Sequence, residues 1–343
     1  MSIDALINSL IIIGLTLFVG LTAAAYVVLA ERRICAFMQQ RLGPNRVGPF
    51  GLLQPLADAI KLLFKEDIVP TSSNRYIHAL APMLGVLLAV AGLALLPLAR
   101  GLHIADVNIG VLYSLGIASV AVYSITLAGW SSNSKYSLLG GLRSSAQMLS
   151  YEIPMGICVV SIVLLSNHFL PTNNGEYLRM TSIVEAQSSV WFVFVNPLTF
   201  LIFFVCALAE TNRVPFDLVE AEQELVGGYH TEYSSMKFGS FFLGEYLNIV
   251  ISSALMTTLF LGGYLGIGEK SLGVQSWGFW PQLGWGLGWF CLKTFFLVYV
   301  FIWVRWTLPR FKYNQLMDIG WKVLLPLSLL NLMVLAFILL LFQ

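Results

Sequence analysis

The chain has 343 residues, of which 57% are hydrophobic and only 11% charged, with a net charge of +1. A soluble domain carries roughly 25% charged residues, so an ordinary soluble protein is excluded, and the near-zero net charge excludes nucleic-acid binding by bulk electrostatics. Four cysteines (Cys35, Cys158, Cys206 and Cys291) lie far apart without CxxC spacing, and the four histidines are scattered. Neither a disulfide frame nor a metal site is indicated. There is no GxGxxG and no phosphate-loop motif.

No charge occurs from Ala5 to Ala30, a run long enough to cross ~30 Å of hydrocarbon at ~1.5 Å per residue. No basic region precedes it, so it reads as a permanent first helix, not a cleaved signal. Glu31-Arg32-Arg33 closes the span, where charges can anchor a helix to headgroups. GPNRVGP, Gly43 to Pro49, forbids a helix and predicts a shaped turn. From Phe50 to Glu66 the pattern is amphipathic. Gln54, Asp58, Lys61 and Lys65 form one narrow polar stripe, and Leu53, Leu56, Ala57, Ile60, Leu63 and Phe64 fill the rest. The helix is too short to span and should lie along the interface, with Pro55 confined to its first turn. A plain interfacial anchor and the wall of a cavity for a long apolar molecule with a polar head both fit that thin stripe.

Further charge-free intervals are Tyr76–Ala99, Val107–Ser134, Ile153–Gly175, Ala186–Ala209, Tyr246–Gly268, about Trp285–Val304 (broken by Lys293) and Val323 to the end. The fold class is therefore an all-α polytopic membrane protein. It has eight transmembrane helices and an interfacial amphipathic helix, in one membrane domain over 1–343. Its parts are a first helix over 1–30, the amphipathic helix over 50–66, and helices two to eight over 76–343 with an acidic loop at 210–245. Fifteen of the 19 cations fall in the odd loops, which puts those loops on the cytoplasmic or matrix side and both termini outside. Trp277, Trp280, Trp285, Trp303, Trp306 and Trp321 sit near span ends, as interfacial belts do.

Three features carry chemistry. Glu152 precedes Pro154, and no turn signal occurs from Ser145 to Tyr151. The fourth helix is therefore expected to start near Ser144 and carry Glu152 into the membrane. The stretch from Glu210 to Glu245 holds Glu210, Asp217, Glu220, Glu222, Glu224, Glu232 and Glu245, seven of the 18 acids, against Arg213 and Lys237 alone. Ionisable groups beside a membrane core are functional candidates by default, and crowded carboxylates titrate as a coupled set. Pro215 should end the helix carrying Glu210, with a second acidic helix following as far as Gly227-Gly228. Asp217 and Glu220 also fit a capping box, but the acidic face of Asp217, Glu220 and Glu224 opposes helix formation. Lys293 is expected to pair with an interior carboxylate, and Gly284, Gly286 and Gly288 to form a smooth face for helix contact.

Long blocks carry a family resemblance. They are ERR at 31–33, RLGPNRVGPFGLLQPLADAIKLLFKE, WSSNSKYSLLGGLRSSAQMLSYE, AETNRVPFDLVEAEQELVGGYHTEYSSMKFGSFFLGEY and RWTLPRFKYNQLMDIGWKVLLPLSL. Over nearly its whole length the chain resembles the H-subunit family of proton-pumping NADH:quinone oxidoreductase, respiratory complex I. The resemblance implies a heel component of the membrane arm. It would share a quinone chamber with the quinone-binding and terminal iron–sulfur subunits of the peripheral arm, beside small membrane subunits. Quinone is then the substrate, and no cofactor belongs to this chain alone; NADH, flavin and iron–sulfur clusters belong to partner subunits. The resemblance places Arg32, Asp58 and Lys61 at the chamber mouth, with Ala59 beside Asp58. It places Glu210, Asp217, Glu220, Glu222 and Glu224 on an acidic path, with Glu152, Glu232 and Glu245. The implied location is the bacterial plasma membrane or an organellar inner membrane. A component of a membrane-bound hydrogenase and a stand-alone proton-coupled transporter are the rival readings; the GPNRVGP turn and the full amphipathic helix favour the quinone branch.

Overall fold

The computed structural model of the chain describes residues 3–170, 176–217, 226–267, 269 and 273–341, leaving aside the side chains of 3–9 and 275. The described residues form helices α1 (Ile3–Met38), α2 (Gln54–Phe64), α3 (Arg75–Leu93), α4 (Gly110–Ser131), α5 (Lys135–Phe169), α6 (Met180–Ala186), α7 (Phe192–Val195), α8 (Pro197–Glu210), α9 (Ser235–Phe260) and α10 (Phe279–Thr307). The last is α11 (Tyr313–Leu341). Seven of them are long and apolar enough to cross a membrane. Large apolar side chains such as Phe18, Leu112, Phe295 and Phe337 face outward along these helices, as lipid contact requires. The protein is an all-helical, multi-pass membrane protein.

The span expected over Ala186–Ala209 differs. Asn196 caps a new helix there, its side chain accepting from the Thr199 amide, and Pro197 occupies the first turn. The resulting α8 has 14 residues, or ~21 Å at 1.5 Å per residue, short of the ~30 Å core. Two short helices, α6 and α7, precede it. Other boundaries differ as well. α5 starts at Lys135, not near Ser144, and runs unbroken through Pro154, so Glu152 lies about five turns inside it. α9 starts at Ser235, which puts Glu245 about three turns into the helix. Within α11 a π turn covers Ile319–Leu324 just before Pro326, which has no N–H to continue the ladder.

The GPNRVGP turn ends in a 3₁₀ turn, Pro49–Gly51. Gly51 has φ 75°, and a Cβ there would run into the Pro44 carbonyl, so only glycine fits. Arg33 donates to the Phe50 carbonyl and ties this turn to α1. The amphipathic helix forms as α2, with Pro55 in its first turn and no fully buried residue. Its far end is held by α9 and the residue before it. Ser235 Oγ donates to the Leu62 carbonyl at 3.0 Å, and Lys237 pairs with Asp67 at 2.8 Å. The Ile68 amide donates to Ser234 Oγ at 2.7 Å.

Two expectations are corrected. Lys293 does not pair with a carboxylate among the described residues. Its Nζ donates to the carbonyls of Leu261, Gly263 and Leu265 at 2.6, 3.0 and 2.6 Å, and lies 4.4 Å from the Trp191 ring centroid. The turn after α9 leaves carbonyls without helical partners, and a buried ammonium satisfies them. Of the three glycines, Gly286 alone approaches a neighbour, with Ala99 and Tyr264 each 3.5 Å from its notional Cβ; Gly284 and Gly288 face open space. The close glycine contacts lie instead between α4 and α5, at Gly129 and Gly141, and between Gly140 of α5 and Gly228.

The Gly140 contact fixes the chain as it leaves the acidic stretch. A Cβ at Gly140 would sit 2.8–2.9 Å from backbone atoms of Gly228 and Tyr229, so backbone must move. Gly140→Ala should cost about 1–3 kcal/mol, read as earlier thermal unfolding of the detergent-purified chain. Gly284→Ala should not. Identical melting of the two variants would show that the backbones are not in tight contact.

Candidate functional site

Two groups of sequence-selected residues occupy separate places, and a third set neighbours both. At the end of α1, Arg32 pairs with Asp58 of α2 at 2.7 Å, and Gln54 donates to the same carboxylate at 3.0 Å. The polar stripe of α2 thus meets α1, as its i, i+4 spacing allows. Ala59 and Lys61 lie exposed on the same helix. Leu56, Ile60, Leu63 and Phe64 are also exposed, Phe64 at 88%, so α2 keeps an apolar face with no covering among the described residues.

The acids converge deeper in the bundle. Glu210 is the last residue of α8, where it faces the negative end of the helix dipole. Folding alone would not select a carboxylate there. The α8 end is fixed to α5 by Gln147, whose Nε2 donates to the Ala209 carbonyl at 2.8 Å, and by Ser144, whose Oγ donates to Asn212 Oδ1 at 3.2 Å. Glu210 borders two small, partly open cavities. One, about 60 Å³, is also lined by Asn248, Ser252 and Ser114. The other, about 40 Å³, is lined by Glu245, Tyr229, Asn212 and Asn248 as well. A water needs roughly 10–15 Å³ of such space and two to four polar partners; both cavities supply them.

Glu245 in α9 accepts from the Tyr229 hydroxyl at 3.2 Å and pairs with the buried Arg213 at 3.6 Å. Glu152 in α5 accepts from Ser119 of α4 at 3.0 Å and lies within Coulombic reach of Glu210. Asp217 is buried and pairs with Arg310 at 3.0 Å. The Phe311 amide donates to the Pro215 carbonyl in the same region, so the α10–α11 loop clasps this segment. The capping box expected from Asp217 and Glu220 involves residues outside the described ones. Glu232 lies half-buried before α9, with no ion pair among them. Glu220, Glu222 and Glu224, and the acidic helix expected around them, lie outside the described residues. Nearby, Tyr233 stacks on His78 at 3.9 Å, and burial pushes its hydroxyl up to about 12.

Sequence reasoning misses the third set. Glu31, adjacent in the chain to Arg32, is buried and pairs with Arg305 of α10. Tyr246 lies beside both, and the Arg213 guanidinium sits 4.3 Å from its ring centroid. Charged and polar groups therefore follow one another from Glu31 through Arg305, Tyr246 and Arg213 to Glu245, the cavities, Glu210 and Glu152, while the Arg32–Asp58 pair starts one residue further along α1, on another face of that helix. Asn248 carries a readable signal, since it lies one helical turn from Glu245 in an apolar helix. The partnership of Glu31 with Arg305 spans 274 positions and leaves no local trace.

Comparison with known proteins gives the family. The family model described as NADH dehydrogenase matches residues 10–336. The chain is 56% identical over 324 residues to NADH-quinone oxidoreductase subunit 8 of Rhodothermus marinus, covering 92% of both chains. It is 52% identical over 328 residues to the H subunit of the NADH-quinone oxidoreductase of Salinibacter ruber, covering 92% of this chain and 91% of the relative. It is also 52% identical over 307 residues to the corresponding H subunit of Rickettsia canadensis, covering 89% and 86%. With the blocks around Arg32, Asp58, Glu210 and Arg310 inside the matched region, the chain belongs to the NADH dehydrogenase family.

Proposed function

We propose that this chain is a membrane subunit of an NADH-quinone oxidoreductase. In this reading it forms part of the quinone chamber at the junction with the peripheral arm and an acidic path that couples quinone reduction to proton translocation. The observation that carries the reading is the succession of charged and hydratable groups from Glu31, the chain neighbour of the Arg32–Asp58 pair, to Glu210 and Glu152. Substrate chemistry at one end would then be in electrostatic contact with interior acids at the other. Redox chemistry belongs to partner subunits, which hold the NADH site, flavin and iron–sulfur clusters. The partners are the quinone-binding and terminal iron–sulfur subunits, with small membrane subunits of the same complex.

Each part of the chain has a distinct task. The uncovered apolar face of α2 suits the isoprenoid tail of a quinone, with Arg32, Asp58 and Lys61 at the polar end. Reduction changes the charge at that end. The Glu31–Arg305 pair, Tyr246 and Arg213 transmit the change, because each is a low-dielectric neighbour of the next. Glu245 and Glu210 exchange protons through the water-sized cavity that both line, and Glu152 extends the path. Asp217 and Glu232, with Glu220, Glu222 and Glu224, supply the cytoplasmic end.

The odd loops face the cytoplasm or matrix in this reading. A cysteine placed at Asn45 should react with an impermeant maleimide from that side only; reaction solely from the opposite side would reverse the topology. At the chamber, Ala59→Trp adds bulk to an exposed position and should lower quinone reduction by about tenfold or more, with NADH oxidation by an artificial acceptor preserved. Unaltered quinone kinetics would remove α2 from the chamber. For the path, Glu210→Gln keeps shape and hydrogen bonding but removes a titratable group. In assembled complex in sealed vesicles it should reduce coupled quinone reduction by at least about tenfold while leaving assembly intact. Wild-type electron transfer and pumping in both Glu210→Gln and Asp217→Asn would make the acids structural and sink the proton-path reading.

A further inference from the structure

A large cavity lies at the opposite end of α5 and α9 from the acids. It measures about 790 Å³ and is built from the turn after α9, the segment between α6 and α7, the end of α5, and Arg100. Its lower wall is apolar and open to the surroundings: Val190, Phe194 and Ile267 are 44, 73 and 63% exposed. Its upper rim is charged. Arg100 lies 3.5 Å from Glu269, a loose pair, and Glu185 is exposed with no ion-pair partner among the described residues. Tyr264 is packed beside all three, and burial pushes its hydroxyl up to about 12, so it stays a neutral donor.

We propose that this cavity binds a zwitterionic glycerophospholipid from the leaflet opposite the acidic side. Three properties select that class. The cavity falls in the size range of small-molecule sites, roughly 300–1,000 Å³, far more than water needs. It sits beyond the last residues of α5 and α9, with Trp191 in its lining and Trp285 and Trp289 against its Gly266, and tryptophans gather where headgroups lie. Among the described residues its rim carries one cation and two carboxylates, a pattern that disfavours a purely anionic headgroup. A zwitterion matches them, its phosphate on Arg100 and its ammonium on Glu185, with the acyl chains along Val190, Phe194 and Ile267. The floor is rigid because Lys293 and Gln187 fix it. Lys293 holds the carbonyls of the α9 turn, and Gln187 accepts from the Gly262 amide at 2.8 Å and donates to the Thr258 carbonyl at 2.9 Å.

The test uses membranes that contain the full chain, doped with photoactivatable phosphatidylethanolamine or with photoactivatable phosphatidylglycerol of identical acyl chains. Peptides covering 185–194 should be labelled about tenfold more by the zwitterion, the ratio expected for one charge-assisted contact. Glu185→Lys should reverse the preference, and Arg100→Gln should weaken labelling by both lipids. Glu185 is exposed, so its replacement tests the site without unfolding it. Equal labelling by the two lipids, or a preference untouched by Glu185→Lys, would overturn the proposal. So would capture of a neighbouring polypeptide, in place of lipid, by a photoreactive group at Ser189.

Discussion

A carboxylate inside hydrocarbon must find a cation, a hydrogen-bond donor or water, because isolation costs several kcal/mol. The interior acids of this chain use all three solutions. Glu31 takes Arg305, and Glu245 takes Arg213 together with the Tyr229 hydroxyl. Glu152 takes the Ser119 hydroxyl, and Glu210 takes two cavities large enough for water. The gradation follows position. The cations enter from the loops at one end of the bundle and reach as far as Tyr246. The described partners of Glu152 and Glu210 are instead a hydroxyl and cavities.

That arrangement depends on how α8 is built. A full-length span would bury its C-terminal turn near the opposite headgroups. Asn196 and Pro197 start the helix late, so its 14 residues end at Glu210 within the bundle. The end is then held by α5 side chains, Ser144 and Gln147, which replace water as partners for the last carbonyl and for Asn212. α5 can do this because it has small residues where it meets other backbones, at Gly140 and Gly141. The helix that carries Glu152 and the helix that ends in Glu210 are thus positioned by the same contacts.

Much of this is legible in the residues, and the limits have physical causes. Charge-free runs locate the membrane segments, and the α2 stripe singles out Asp58, which meets the end of α1. The density of acids points to Glu210 and Glu245. Helix ends are less legible because small residues such as Gly140 and Gly141 look like loop but pack closely on other backbones. α8 looks like a full span because Asn196-Pro197 is a weak signal inside an apolar run. Charge complementarity, visible in sequence, points Lys293 to a carboxylate, whereas three carbonyls freed by a turn after Phe260 are invisible there. The Glu31–Arg305 pair is purely tertiary, and no local pattern announces it.

The same pair bears on why the charges are there at all. Replacing a buried ion pair with apolar side chains is often neutral or stabilising, while removing one partner alone is costly. A chain selected only for stability would do better with leucine at 31 and methionine at 305. Retaining a series of such pairs keeps several buried charges mutually dependent, so a change at one end alters the free energy of ionisation at the next. Tyr246 lies beside both members of this pair and beside Arg213, which pairs with Glu245, so these charges of α1, α9 and α10 are neighbours. Their mutual dependence needs no moving part larger than a side chain, and the low dielectric that makes the charges expensive also lengthens their reach.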